Sequence, residues 1–293
     1  MLILISDAFA PNLPEKLAPF GETTEDKGRL KDAEIVLVRS KTKCTKEYID
    51  SAPNLKMIIR GGVGLDNIDL EYAGEKGIIV HNTASASAIA VAELAFALML
   101  AVPNHIVAGC ASLREGQWIK KELKRTELYG KTLGLVGIGN IGTEVAKRAK
   151  AFGMKVLAYR KSGKPSEHAE VRSSLAEVLE ESDYISLHTP LTDETKFIIN
   201  KDTLAQAKDG AVLVNTGRGK CVVEQDVAAA LDSGKLRGYA VDVWYSDPPD
   251  DSSPILSAPN VVMTPHIGAS SKENLFRIGD VIEDKIKEFL ENR

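Results

Sequence analysis

Lys131-Thr-Leu-Gly-Leu-Val-Gly137-Ile-Gly139-Asn-Ile-Gly142-Thr-Glu-Val145 is the stretch whose reading decides the fold. The apolar run Thr132–Gly137 reads as a buried strand, and Ile141, Val145 and Ala149 recur at helical spacing directly after it. A strand, a glycine turn and a helix in that order form a dinucleotide-binding fingerprint. Gly137 permits the tight turn, Gly139 lets the backbone approach a pyrophosphate, and Gly142 allows close contact between helix and strand. The phosphates then sit at a helix N-terminus, where free N–H groups and the macrodipole favour anions.

The same rhythm extends in both directions. Leu2–Ser6, Glu34–Val38, Leu55–Ile59 and Ile78–Val80 read as strands before the turn. Lys155–Tyr159, Tyr184–Thr189, Ala211–Asn215, Tyr239–Val243 and Val261–Thr264 read as strands after it. Helical segments lie between them, among them Lys46–Ser51, Asp69–Glu75 and Val227–Leu231. Alternation of this kind predicts α/β architecture with parallel sheets covered on both faces. Two sheets fit the 293 residues. The predicted domains are 1–98 joined by 270–293, and 99–269. The apolar helix from Ala88 to Val102 links them, and Glu273–Glu291 returns to the first domain. Interrupted by Glu93, the linking stretch falls short of the ~20 residues a bilayer span needs and reads as a buried helix.

Composition narrows the function. Lys plus Arg total 37 against 41 Asp plus Glu, a net charge of −4, so no general affinity for nucleic acid is expected. No membrane association is expected either. Cys44, Cys110 and Cys221 show neither zinc spacing nor a disulfide framework, which predicts a reducing, cytoplasmic setting.

The strand Lys155–Tyr159 leads to the adenosine ribose. An NAD binder usually carries Asp or Glu there, but this chain has Arg160-Lys161-Ser162-Gly-Lys164. Two readings stand. Either Arg160, with Lys161 beside it, pairs with a 2′-phosphate, or the cluster is a solvated basic loop. The expected cofactor is NAD or NADP, with Arg160 leaning towards NADP.

From Gly137 onward the order of motifs resembles the D-isomer-specific 2-hydroxyacid dehydrogenases. The matching segments are His188-Thr-Pro-Leu-Thr192, Asn215-Thr-Gly-Arg218-Gly219, Val241-Asp242-Val-Trp244 with Asp247-Pro-Pro, and Thr264-Pro-His266-Ile-Gly-Ala269. The resemblance implies a Rossmann-type doubly wound cofactor domain plus a flavodoxin-like substrate domain. It implies that Asn140 and Ile141 offer backbone to the pyrophosphate and that Thr189 and Pro190 border the adenosine. Thr216 and Asp242 fall at the nicotinamide end, with Asp242 a candidate for the carboxamide, and Gly217 and Gly268 also count among the cofactor-binding positions. Gly116-Gln-Trp118 and Glu127–Lys131 resemble the family's dimer arm, so a homodimer is expected.

Within the family, Arg60-Gly-Gly-Val-Gly64 and Val38-Arg39-Ser40 most resemble the 3-phosphoglycerate dehydrogenases. Arg39 and Arg60 fall where those enzymes hold the substrate's phosphate. Gly61, Gly62, Val63 and Gly64 fall where backbone N–H groups receive its carboxylate, and a glycine-rich loop after a strand suits an anion.

Oxidising a secondary alcohol by hydride transfer needs a base for the hydroxyl proton and a cation for the carboxylate. The resemblance gives the first role to His266, an imidazole that titrates near working pH, and the second to Arg218, a fixed guanidinium. Most of the family has Glu where this chain has Asp247. Asp also orients an imidazole, but its side chain is one methylene shorter, so its loop must approach more closely. Cys221 lacks a visible catalytic partner and reads as a buried cysteine.

The expected activity is NAD(P)-dependent interconversion of a D-2-hydroxyacid and its 2-oxoacid. Oxidation of 3-phospho-D-glycerate for serine biosynthesis leads, and glyoxylate or hydroxypyruvate reduction is the alternative. A dinucleotide-sensing, corepressor-like binding protein is the alternative of another class. Few residues follow His266, so no regulatory domain and no feedback inhibition by serine are expected.

Overall fold

Runs of Ile, Leu and Val build the centre of the N-terminal sheet. Strands β1 (Leu2–Ile5) and β3 (Ile35–Val38) are buried at every position, as expected of parallel strands covered on both faces. Around them the chain forms α1 (Leu13–Leu17), β2 (Glu22–Thr24), α2 (Lys46–Asp50), β4 (Met57–Arg60), α3 (Leu70–Glu75) and β5 (Ile79–Asn82). Side-chain caps from Thr45 and Asp69 open α2 and α3. The five strands are all parallel, in the order β2-β1-β3-β4-β5, which is the flavodoxin-like order.

Helix α4 (Ala84–Ala101) follows. Its length and hydropathy match those of a membrane span, yet more than half of it is buried inside the protein. Ala86 belongs to the N-terminal core, whereas Ala92, Ala95, Phe96, Leu98 and Met99 belong to the next one.

The second unit contains α5 (Ile106–Arg114), β6 (Thr132–Val136), α6 (Asn140–Ala151), β7 (Lys155–Tyr159), β8 (Glu170–Arg172), α7 (Leu175–Glu181) and β9 (Tyr184–Leu187). It continues through α8 (Lys201–Gln206), β10 (Ala211–Asn215), α9 (Glu224–Asp232), β11 (Leu236–Val241) and β12 (Val261–Met263). Its seven parallel strands run β12-β11-β10-β9-β6-β7-β8, so the winding reverses between β6 and β9. Ligands of open α/β sheets bind at the carboxyl ends of strands at such a switch point. One apolar core lies on each face of this sheet.

The structure describes residues 1–292 as a computed structural model. Contacts divide them into Met1–Ala90 with residues 269 onward, and Val91–Gly268. The last helix, α10 (Lys272–Glu291), places Ile278, Ile282 and Ile286 at every fourth position in the N-terminal core, so the first unit is discontinuous in sequence.

The observed boundaries differ from the sequence reading in two respects. The division falls within α4 at Ala90–Val91 rather than at residue 98, because the helix's side chains change core after its first two turns. Strands β2 and β8 were not indicated. Both are three-residue edge strands made largely of polar residues, so they lack the apolar run that marks a central strand.

Gly134 shows how tightly the cofactor-side sheet is covered. A Cβ there would lie 2.2 Å from Ser182 Oγ and 2.6 Å from Val178 Cγ1. Gly134→Ala should therefore lower stability by about 1–3 kcal/mol in urea unfolding, and Ser182→Ala in the same chain should recover part of the loss.

Candidate active site

Close backbone approach shapes the glycine turn. Gly137 has φ +97°, and a Cβ on it would lie 2.7 Å from the carbonyl oxygen of His188. A Cβ on Gly142 would lie 2.6 Å from the Gly137 carbonyl, so α6 can start against the end of β6 only with glycine there. Gly139 differs: a Cβ on it would meet no protein atom within 4 Å. The chain itself does not require glycine at 139, whereas a phosphate seated against the backbone does. Asn140 and Ile141 form the first turn of α6, with their N–H groups at the positive end of the helix dipole.

Two further atoms fit a bound dinucleotide. Leu187 and Asn215 are register partners, so His188 and Thr216 leave the sheet side by side at the ends of β9 and β10. Both His188 Nδ1 and Thr216 Oγ1 are sealed from solvent without a hydrogen-bond partner. His188 Nε2 lies 2.8 Å from Ser186 Oγ, and desolvation pushes the ring's pKa down to about 4, so it stays neutral at physiological pH. Thr189 and Pro190 follow directly. Beyond β7, Lys161 pairs with Glu194, while the Arg160 side chain makes no ion pair or hydrogen bond among the described residues. These features fit NAD or NADP.

The ends of β10, β11 and β12 meet next to this turn. Asn215 ties the β10 loop by accepting from Gly217 N at 3.1 Å and donating to Arg218 O at 3.1 Å. Arg218 Nη1 donates to Gly217 O at 2.8 Å. A Cβ on Gly219 would lie 2.0 Å from the Trp244 carbonyl oxygen, so glycine lets the Arg218 turn press against the loop that carries Asp247. Trp244 Nε1 donates to Thr264 O at 3.1 Å and joins that loop to the His266 loop.

Asp242 has a role the sequence did not indicate. It is 1% exposed, and its carboxylate accepts from Thr264 Oγ1 at 2.5 Å, Ile267 N at 2.8 Å and Gly268 N at 2.9 Å. It thereby holds the backbone on both sides of His266, whose φ of +53° lies in the left-handed region that non-glycine residues seldom enter. The His266 ring forms a close hydrogen bond through Nδ1 to Asp247 Oδ2, and both side chains are exposed. With Nδ1 so engaged, Nε2 is the atom available to exchange a proton. Cys221 is fully buried, as its sequence context indicated.

In the N-terminal unit, Val38 pairs with Arg60 in register, which places Arg39 and Arg60 at the neighbouring carboxyl ends of β3 and β4. Asp7 accepts from Arg39 N, and Asn67 donates to Arg39 O. The Arg39 guanidinium reaches only the carbonyls of Ala8 at 3.3 Å and Ala269 at 3.5 Å, and burial pushes its pKa below the usual arginine value. The glycine loop departs from the sequence reading. Gly61 N and Gly62 N donate internally, to Val38 O and Arg60 O, because the loop turns tightly out of β4. Only Val63 and Gly64 keep N–H groups without an acceptor among the described residues. Asn82 Nδ2 fixes this loop through Val63 O at 2.8 Å.

Comparison with known proteins agrees with this geometry. The family description "D-isomer specific 2-hydroxyacid dehydrogenase, NAD binding domain" matches residues 96–268. A hydroxypyruvate reductase of Thermotoga maritima is 49% identical over 87% of this chain and 84% of its own length. A D-3-phosphoglycerate dehydrogenase of Methanocaldococcus jannaschii is 42% identical over 98% of this chain, which spans only 57% of that protein. An acyclic imino acid reductase solved with NADPH and D-Arg superposes with a TM-score of 0.91 at 31% identity, covering 100% of this chain and 98% of the other.

The buried His188 gives the protein an acid-sensitive step. Above pH 6.5 the ring is neutral in both folded and unfolded chains. Between pH 6.5 and about 4 the unfolded chain takes up a proton that the folded one refuses, so stability falls as pH falls. In urea titrations His188→Asn should flatten that decline by on the order of 2–3 kcal/mol; equal slopes for the two proteins would remove His188 as its source.

Proposed function

We propose, from the premise that this chain belongs to the D-isomer specific 2-hydroxyacid dehydrogenase family, that it interconverts 3-phospho-D-glycerate and 3-phosphohydroxypyruvate, a step of serine biosynthesis. Membership makes it an NAD(P)-dependent oxidoreductase of D-2-hydroxyacids. The observation that supports the phosphorylated substrate is the presence of two arginines at neighbouring strand ends, Arg60 closing β4 in register with Val38 and Arg39 directly following β3, near the two N–H groups of Val63 and Gly64. A phosphate monoester carries about −1.5 to −2 charge at neutral pH, and two forked guanidinium groups suit it better than an uncharged hydroxymethyl group.

The residues divide the work. The bound dinucleotide supplies the hydride acceptor or donor. Gly139, Asn140 and Ile141 hold its pyrophosphate, and Thr216 holds its nicotinamide end. Arg218 binds the substrate carboxylate and polarises the oxygen on C2, where charge develops. His266 takes the hydroxyl proton through Nε2 during oxidation and returns it during reduction. Asp247 holds the ring in the tautomer this requires. Arg160, which has no protein partner, supports NADP as the preferred dinucleotide. The apolar side chains exposed between Ile106 and Tyr129, Trp118 among them, support a homodimer. The reduced cysteines support a cytoplasmic setting.

A second reading, reduction of hydroxypyruvate or glyoxylate, is favoured by the T. maritima relative, which this chain matches over 84% of its length. A substrate panel separates the two. The panel comprises 3-phosphoglycerate, glycerate, lactate and glycolate with the matching oxoacids in reverse, each with NAD(H) and NADP(H). On the first reading 3-phosphoglycerate gives the highest kcat/KM, and Arg60→Ala lowers it at least tenfold while leaving glycerate nearly unchanged. Equal effects on both substrates would transfer the conclusion to the second reading. In either case His266→Ala should abolish turnover.

Oxidation needs Nε2 free to take the hydroxyl proton, and the Asp247 bond at Nδ1 holds the ring in that tautomer. Asp247→Asn should therefore lower kcat for hydroxyacid oxidation at least tenfold with little change in KM. An unchanged kcat would take Asp247 out of the mechanism.

A further inference from the structure

Residues 245–249 carry Asp247, yet among the described residues no backbone hydrogen bond joins them to the rest of the protein. Ser246 Oγ reaches only Pro248 O, within the segment itself. The close backbone packing against Gly219 ends at the Trp244 carbonyl and the Tyr245 nitrogen. What lies between that anchor and Asp247 is the ring of Tyr245, half exposed and parallel to the ring of Phe197. Their centroids are 6.4 Å apart with planes 4° from parallel, within the range of favourable offset stacking. Lys196 lies 5.3 Å from the Phe197 ring centre and Lys220 lies 5.2 Å from that of Tyr245, so a cation covers each ring.

Phe197 is held in an unusual backbone. Its φ of +56° is left-handed, a region that bulky residues avoid. Two bonds over-determine that conformation: Phe197 N donates to Lys220 O at 2.9 Å, and Asn200 Nδ2 donates to Phe197 O at 2.9 Å. A strained residue fixed from both sides presents its ring at one place only. That place is where the Asp247 loop needs support, because an aspartate must start nearer the imidazole than a glutamate would.

We propose that the Phe197–Tyr245 stack is the clamp that sets the reach of Asp247 to His266, which makes both aromatic residues positioning residues for the acid–base pair. The inference rests on the roles assigned above to His266 and Asp247. It assigns no substrate or cofactor contact to either ring.

The test uses the panel's best hydroxyacid and follows the His266 ring N–H resonances by NMR of the cofactor-free protein. Tyr245→Ala should lower kcat/KM about tenfold, mostly through kcat. It should also shift the His266 Nδ1–H resonance upfield, as Asp247→Asn does, because the hydrogen bond to Asp247 loosens. Tyr245→Phe keeps the ring and should behave as the wild type. Phe197→Gly removes the other ring while relieving the left-handed backbone, so it should reproduce the shift with no loss of thermal stability. The decisive arm is Asp247→Glu. Alone it crowds an existing contact and should lower kcat/KM about threefold, whereas in the Tyr245→Ala chain its longer reach should raise activity at least threefold. A wild-type His266 resonance for Tyr245→Ala, or no recovery from Asp247→Glu, would overturn the clamp. Activity surviving in His266→Ala would overturn the catalytic pair itself, a separate failure.

Discussion

The Asp242 carboxylate is the constraint on which the cofactor-side geometry depends. An ion buried to this extent is tolerated only where donors replace its water. Here Thr264 Oγ1, Ile267 N and Gly268 N do so. Because two of these donors are backbone groups just after His266 and the third lies just before it, satisfying the carboxylate and fixing the loop are one event. The left-handed conformation of His266, unfavourable by roughly 1–2 kcal/mol, is maintained by bonds that a neutral side chain at 242 would not attract as strongly. The position of the exposed imidazole thus follows from a residue buried beneath it.

Glycines complete the arrangement by removing atoms. Gly137 and Gly142 bring the end of β6, the start of α6 and the end of β9 within backbone contact, while Gly219 does the same for the Arg218 turn and the Trp244 carbonyl. Each is a place where two main chains approach more closely than any Cβ permits, and each lies at the carboxyl edge of the sheet. Gly139 belongs to the same motif for the opposite reason, since open space surrounds it. Sequence alone does not separate these two uses of glycine, because the distinction lies in what stands opposite each Cα.

The central strands were legible because parallel strands buried on both faces must be apolar throughout, as Ile35–Val38 and Ala211–Asn215 are. The glycine turn, Arg218 and His266 were legible through motif order. Polar edge strands such as Glu170–Arg172 were not, since edge position relaxes the demand for apolar residues. Nor was the internal use of Gly61 N and Gly62 N, because motif matching identifies a loop without saying where its hydrogen bonds go. Asp242 was recognised as functional, but its loop-holding role depends on three donors more than twenty residues away. Phe197 carried no signal at all: a left-handed phenylalanine is not encoded in any local pattern.

Arg39 bears on the substrate question through its solvation. Its guanidinium is partly withdrawn from water, which lowers its pKa, and its protein acceptors are two carbonyls at long distance. Neutral carbonyls compensate a desolvated cation poorly, and an anion compensates it well. The register of β3 and β4 puts Arg60 at the neighbouring strand end. The solvation of Arg39 thus favours an anion at the end of β3, on grounds that do not depend on any resemblance.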